Sequence, residues 1–240
     1  MRRLDSSPSA RRRLVCFPHA GGAATYFAPL AKAMPGSIDV LALQSPGRQE
    51  RLSERCIDSI EALTEAIVPE LDGWLDGPFA LFGHSMGAIV AFEVARALEQ
   101  QQGLVPVDLF VSGRRAPSTS RDEHVHRGGD RALINEVTRL GGTPRQLLDD
   151  EEVRQMMLPA LRGDYKAIET YVWQPGPPLT CSISALVGES DPLTTEAEAA
   201  AWRTHTTGAF DLRTFRGGHF YLAGHLPELV ALLSDKLTGP

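Results

Sequence analysis

No stretch of this 240-residue chain approaches the ~20 consecutive apolar residues needed to cross a bilayer. The first thirteen residues are basic, yet no apolar segment follows them of the kind that makes a secretory leader. Neither a membrane partner nor export is expected. Cysteine is scarce. Cys16, Cys56 and Cys181 are odd in number and far apart, which excludes a disulfide framework and fits buried structural thiols in a reducing cytoplasm. No Cys/His spacing suggests a metal site. Positive charge is not in excess: the formal net charge is −6, which argues against nucleic acid as a partner. There is no repeat and no heptad, and only the Arg-rich start is of low complexity. What is present, 42% hydrophobic and 22% charged residues, is the balance of a soluble globular protein with room for one large α/β domain or two small ones.

Short apolar runs alternate with helical patterns. Strands are expected at 14–17, 38–43, 79–82, 107–111, 183–187 and 210–215. Tyr26, Phe27, Leu30 and Met34 recur at helical spacing until Pro35-Gly36 stops them. Residues 57–75 carry Ile60, Leu63, Ile67, Leu71 and Trp74 on one face, with Pro69 expected to kink or split the helix. Further helices are expected at 86–101, 195–206 and 224–237. This alternation implies crossovers, and hence a largely parallel sheet covered on both faces. Residues 1–13 read as a disordered lead-in and 14–240 as a single domain. About seventy residues separate the fourth and fifth strands, far more than a usual crossover. Three helical stripes fall there: Leu133, Ile134, Val137 and Leu140; Val153, Met156, Met157, Ala160 and Leu161; Tyr165, Ile168, Tyr171 and Val172. They are expected to form a helical lid at about 116–178 over the C-terminal edge of the sheet.

The chemistry centres on Gly83-His84-Ser85-Met86-Gly87, where an apolar strand ends and a helix begins at once. In that context Gly-x-Ser-x-Gly reads as a nucleophile elbow of an α/β-hydrolase fold. Gly83 and Gly87 remove side chains that would collide in so tight a turn. The N–H of Met86 then points to where an oxyanion would form, at a helix N-terminus. The alternative for Ser85 is a plain helix cap. A serine needs a base, and the base an orienting acid, in the chain order nucleophile, acid, histidine. That order disfavours His19, His84, His124, His126 and His205. It selects His219, directly after the sixth strand in Gly217-Gly218-His219, over His225. The acid is expected after the fifth strand, at Asp191 in Gly188-Glu189-Ser190-Asp191-Pro192, with Glu189 as the alternative and a helix cap as its structural reading. A second oxyanion donor is expected in Pro18-His19-Ala20-Gly21-Gly22, from the N–H of Ala20 or else of Gly21. Arg114, Arg115, Arg121, Arg127 and Arg131 form a basic group, either a partner-facing patch or a solvated face.

Phe17-Pro18-His19-Ala20-Gly21-Gly22, Pro46-Gly47-Arg48-Gln49-Glu50-Arg51, the serine elbow, Ser112-Gly113-Arg114-Arg115-Ala116-Pro117, Gly188-x-x-Asp191-Pro192 and Gly217-Gly218-His219-Phe220 occur in this order. Together they resemble the external, type II thioesterases of polyketide and nonribosomal-peptide assembly lines. The resemblance implies hydrolysis of acyl groups from the phosphopantetheine arm of acyl or peptidyl carrier proteins. It puts the triad at Ser85, Asp191 and His219, the oxyanion donors at Met86 and Ala20, and lid helices within 158–173. It implies no metal and no bound cofactor, since the pantetheine arrives with the substrate. A monomer is expected. A small-molecule esterase of the same fold, a non-catalytic carrier-binding protein and a terminating thioesterase cut from a synthase are the rival readings.

Overall fold

The computed structural model describes residues 1–5, 10–143 and 145–239. Seven strands build one sheet: β1 (Arg2–Asp5), β2 (Arg12–Phe17), β3 (Ile38–Ala42), β4 (Phe79–His84), β5 (Asp108–Ser112), β6 (Ser182–Gly188) and β7 (Phe210–Phe215), in the order β1-β3-β2-β4-β5-β6-β7. Only β1 runs antiparallel to its neighbour. The helices are α1 (Ala28–Ala33), α2 (Ile60–Glu70), α3 (Met86–Gln102), α4 (Asp130–Leu140), α5 (Arg145–Asp149), α6 (Glu151–Thr170), α7 (Glu196–Ala200) and α8 (Leu226–Thr238).

The central strands are apolar along their whole length because both faces are covered. Alternation by two splits them between two cores. Val15, Phe17 and Leu81 pack with Ile67 of α2 and Ile89 of α3, while Leu14, Cys16 and Phe82 pack with Leu30 of α1 and Leu233 of α8. At ~25 cal/mol per Å² of apolar area, two such layers are the main stabilising contribution to the fold.

The start of the chain departs from the expectation of a disordered tail. Residues 2–5 are β1, hydrogen-bonded to β3 from Arg2↔Ala42 to Asp5↔Val40. Arg3 lies over the Trp74 ring and pairs with Asp39, and Arg2 reaches Gln49 and Glu50. The arginines are anchors here, and partners distant in the chain, from Asp39 to Trp74, make them so. The part of that expectation on residues 6–9 lies outside the described residues. Pro69 also behaves differently from its reading. The helix α2 ends one residue after it, so Pro69 marks the end of the helix without splitting it.

Between β5 and β6, α4 and α6 stand where helical stripes lie, while α5 falls on none of them; position 144 within this segment is outside the described residues. The second stripe and the first half of the third, Tyr165 and Ile168, belong to one continuous helix, α6, which runs through Pro159 and ends at Thr170, so Tyr171 and Val172 lie beyond it. Pro159 and Gln155, whose carbonyl loses its partner there, are both exposed, so water satisfies it. Among the described residues no helix is long and apolar enough to cross a membrane.

Candidate active site

Ser85 sits between β4 and α3 with φ 56° and ψ −119°, a backbone that non-glycine residues rarely adopt. The neighbours explain how it is held. A Cβ on Gly83 would lie 2.1 Å from the Gly87 carbonyl oxygen, and one on Gly87 would lie 2.0 Å from that of Phe17. The start of α3 is therefore pressed against the ends of β2 and β4, and only glycine fits at either contact. Ser85 N–H donates to the Ser112 carbonyl at 2.8 Å, while its side chain makes no capping bond to α3. The hydroxyl is free for another task.

That hydroxyl lies 2.9 Å from His219 Nε2, and His219 Nδ1 lies 2.9 and 3.0 Å from the two Asp191 oxygens. The carboxylate fixes the tautomer: Nδ1–H donates to Asp191, leaving Nε2 to accept from Ser85 Oγ–H. Asp191 is held in turn by the N–H of Leu193 at 2.8 Å. The loops after β6 and β7 are laced together, since Ser190 N–H donates to Gly217 O and a Cβ on Gly188 would meet Gly218 O at 2.3 Å. Thr195, with Glu198 in a capping box, begins α7, so Asp191 is not its cap. Glu189 is exposed and outside the contact. His225 bonds to the Arg216 carbonyl and packs on Phe215, away from Ser85.

An imidazole poised between a buried carboxylate and a strained serine is the apparatus of acyl transfer. The thioesterase domain family matches residues 12–237. The chain belongs to that family. Thioesterase PikA5 of Streptomyces venezuelae is 48% identical over 238 residues, covering 99% of this chain and 85% of that protein. The type II thioesterase BorB from the borrelidin biosynthetic cluster superposes with a TM-score of 0.92 at 46% identity, covering 98% of this chain and 96% of its own. The RedJ thioesterase of the prodiginine pathway in Streptomyces coelicolor gives 0.88 at 40%, over 95% and 87%.

In the thioesterase the amides of Met86 and Ala20, residues that line one chamber with Ser85, have no acceptor among the described residues. Gly21, the alternative donor, is excluded because its N–H already donates to Asp164 Oδ2 at 2.7 Å. Asp164 belongs to α6 and is buried, and Arg48 grips it with two bonds of 2.8 and 3.0 Å. Arg48 also donates to the Gly22 carbonyl at 2.9 Å. The loop carrying Ala20 is thus clamped from the insertion and from the loop after β3. The sequence reading missed this clamp. Its signal was an acid set among Leu161, Tyr165 and Ile168, on the apolar side of a helix.

His19 and His84 are packed, not acting as bases. His84 Nδ1 bonds to Ser112 Oγ, which meets Tyr221 OH at 2.7 Å. Burial pushes the His84 imidazole well below its ordinary range, with His219 adding to the effect, and pushes His19 down to about 3. Both stay neutral at working pH, so neither competes with His219 for a proton. Among the described residues no group of three metal-binding side chains occurs.

Above the serine lies a cavity of about 420 Å³, with Ala20, Ser85, Met86 and His219 beneath and Tyr165, Ile168 and Glu169 of α6 on the wall. The basic group divides around it. Arg114 and Arg115 are buried, Arg121 pairs with Glu198, and Arg127 and Arg131 are exposed. A single partner-facing patch made of all five does not exist.

Proposed function

We propose that this thioesterase hydrolyses acyl groups from the phosphopantetheine arm of acyl or peptidyl carrier proteins, through an acyl-serine on Ser85. The observation that carries the reading is the hydrogen-bonded series Ser85–His219–Asp191 at the floor of a chamber with two free amides. The names of its relatives in antibiotic clusters support the substrate class.

Ser85 Oγ attacks the thioester carbonyl as His219 Nε2 takes its proton, and the oxyanion forms between the Met86 and Ala20 amides. Collapse breaks the C–S bond, and the imidazolium returns the proton to the leaving thiolate. A water molecule, deprotonated by His219, then attacks the acyl-serine; collapse releases the acid and restores the Ser85 hydroxyl. Asp191 stabilises the imidazolium in both halves. The N-terminus of α3 adds its partial positive charge to the oxyanion site. Residues of α4 and α6 act as a lid that keeps bulk water from the ester. The chemistry asks for no cofactor.

Ser85→Ala is expected to lower kcat by roughly 10⁴-fold or more on an acyl-carrier thioester, with the fold unchanged by circular dichroism. Activity that survives the substitution in a purified sample would mean that the serine is not the nucleophile. Turnover of the same acyl group on a carrier protein is expected to exceed that on coenzyme A or as an oxygen ester. The reverse order would favour a small-molecule esterase.

A further inference from the structure

Two side-chain nitrogens of residues lining the chamber are buried without a partner among the described residues, His19 Nδ1 and Arg114 Nε, and the second belongs to a charged group that this mechanism leaves without a task. Arg114 follows β5 by two residues, and its side chain is 9% exposed. Its Nε is fully buried without a hydrogen-bond partner among the described residues. The nearest carboxylate oxygen, on Glu123, is 3.9 Å from Nη1, beyond hydrogen-bond reach. Both oxygens of Glu123 are already taken by Arg115, at 3.0 and 2.5 Å.

The other charged groups around the chamber are matched. Arg121 is bidentate on Glu198, Arg139 on Glu136, and Glu169 accepts the N–H groups of Val125 and His126. Arg114 alone presents an unsatisfied fork. Its placement is fixed: the Arg114 carbonyl accepts the Trp202 indole N–H at 2.8 Å, and a Cβ on the preceding Gly113 would come 3.4 Å from the His219 ring. Arg114 lines the chamber together with His219, and it also lines a neighbouring cavity of about 260 Å³.

A buried donor without an acceptor is costly, and one on the wall of a chamber is open to an acceptor that a ligand brings. The carboxylates of Glu123 and Glu169 offset the charge of Arg114 at a distance. What Arg114 lacks is an acceptor, not a counter-ion. Burial, reinforced by Arg115, lowers the guanidinium to about 10, so it remains charged near neutral pH and a strong donor.

We infer that Arg114 is a specificity-determining residue that hydrogen-bonds a neutral oxygen, hydroxyl or keto, on the acyl chain of the substrate. This rests on the proposed acyl-serine reading. The chamber then selects oxygenated acyl groups over alkyl chains of equal length, because an alkyl chain displaces water from Arg114 and gives nothing back.

The test uses the full chain and N-acetylcysteamine thioesters of hexanoate, 3-hydroxyhexanoate, 5-oxohexanoate and hexanedioate. At least one of the two neutral oxygenated chains is expected to exceed hexanoyl about 10- to 100-fold in kcat/KM, the range of a hydrogen bond to a charged group. In Arg114→Met that ratio is expected to fall toward one. In Arg114→Lys, which keeps the charge and loses the fork, it should lie between, and this variant decides the matter if the methionine form shows no cooperative unfolding. A wild-type ratio near one, a ratio unchanged in the variants, or a preference for hexanedioyl alone would each overturn the proposal. Loss of all turnover in Ser85→Ala, read alongside, tests the underlying reading separately.

Discussion

Asp108, at the start of β5, carries the charge that the sheet accommodates least well. It is 1% exposed, Ser184 Oγ donates to it at 3.2 Å, and Lys236 stands 3.6 Å away. Its second oxygen has no partner among the described residues. Burial outweighs these partners and raises its carboxyl from 3.8 to about 6. The folded state therefore holds this proton between about pH 4 and pH 6 while the unfolded chain has released it. The stability this group confers is present below about pH 4 and is lost as pH rises through about 6. A shift of that size corresponds to roughly 3 kcal/mol at neutral pH. Asp108→Asn keeps the shape, removes the charge and leaves Lys236 its other partner, Asp211. Its unfolding midpoint is expected to lie a few degrees above that of the wild type at pH 8, with the gap closing by pH 4 to 5. A variant less stable than the wild type at pH 8 would show that the Lys236 contact outweighs burial.

At the scale of elements, α6 ties the insertion to the catalytic floor. Asp164 joins Arg48 and the Gly21 amide in one buried cluster, so removing it leaves a guanidinium and an N–H unpaired together. Asp164→Ala is expected to cost about 3–5 kcal/mol of stability and to lower kcat through a loosened Ala20 amide. Replacing both members, Arg48→Met with Asp164→Leu, should recover most of the stability, since buried pairs exchange well for apolar ones of similar volume. It should not recover kcat, because Gly21 still lacks its acceptor. Thermal unfolding and single-turnover rates on the same samples separate the two, and a kcat that returns with stability would refute the clamp. The helix itself was half legible in the sequence. Met157, Leu161, Tyr165 and Ile168 already fall on one stripe at spacings of four, four and three. Gly163 and Pro159 give the look of a break. Yet a Cβ on Gly163 would come 3.2 Å from Cys56 Cβ, so the glycine admits a close approach and does not end a helix.

Across the whole molecule, every group assigned to the chemistry stands at a C-terminal strand end: Ala20 after β2, Ser85 after β4, Arg114 after β5, Asp191 after β6 and His219 after β7. A parallel sheet puts all those ends on one rim, which is why chain order and glycine loops point to Ser85, Asp191 and His219, three side chains that the fold brings into one hydrogen-bonded series. The opposite case is β1. Its four residues, Arg-Arg-Leu-Asp, show no apolar run, and their order comes from pairing with β3 and from Asp39, Trp74 and Glu50, contacts no local pattern reveals. The strand also has a role in the assembly of the sheet. Without it β3, buried along its length, would become an edge with unpaired N–H and C=O groups and an apolar sequence, Ile38-Asp39-Val40-Leu41-Ala42, of the kind that recruits other chains. Deleting residues 1–5 is expected to lower the unfolding midpoint by several degrees and to produce concentration-dependent association in light scattering. Substituting Arg2 and Arg3 by alanine should lower the midpoint less, and leave the protein unassociated, because the backbone ladder survives. A truncated protein as stable and as monodisperse as the full chain would mean that the β3 edge needs no cover.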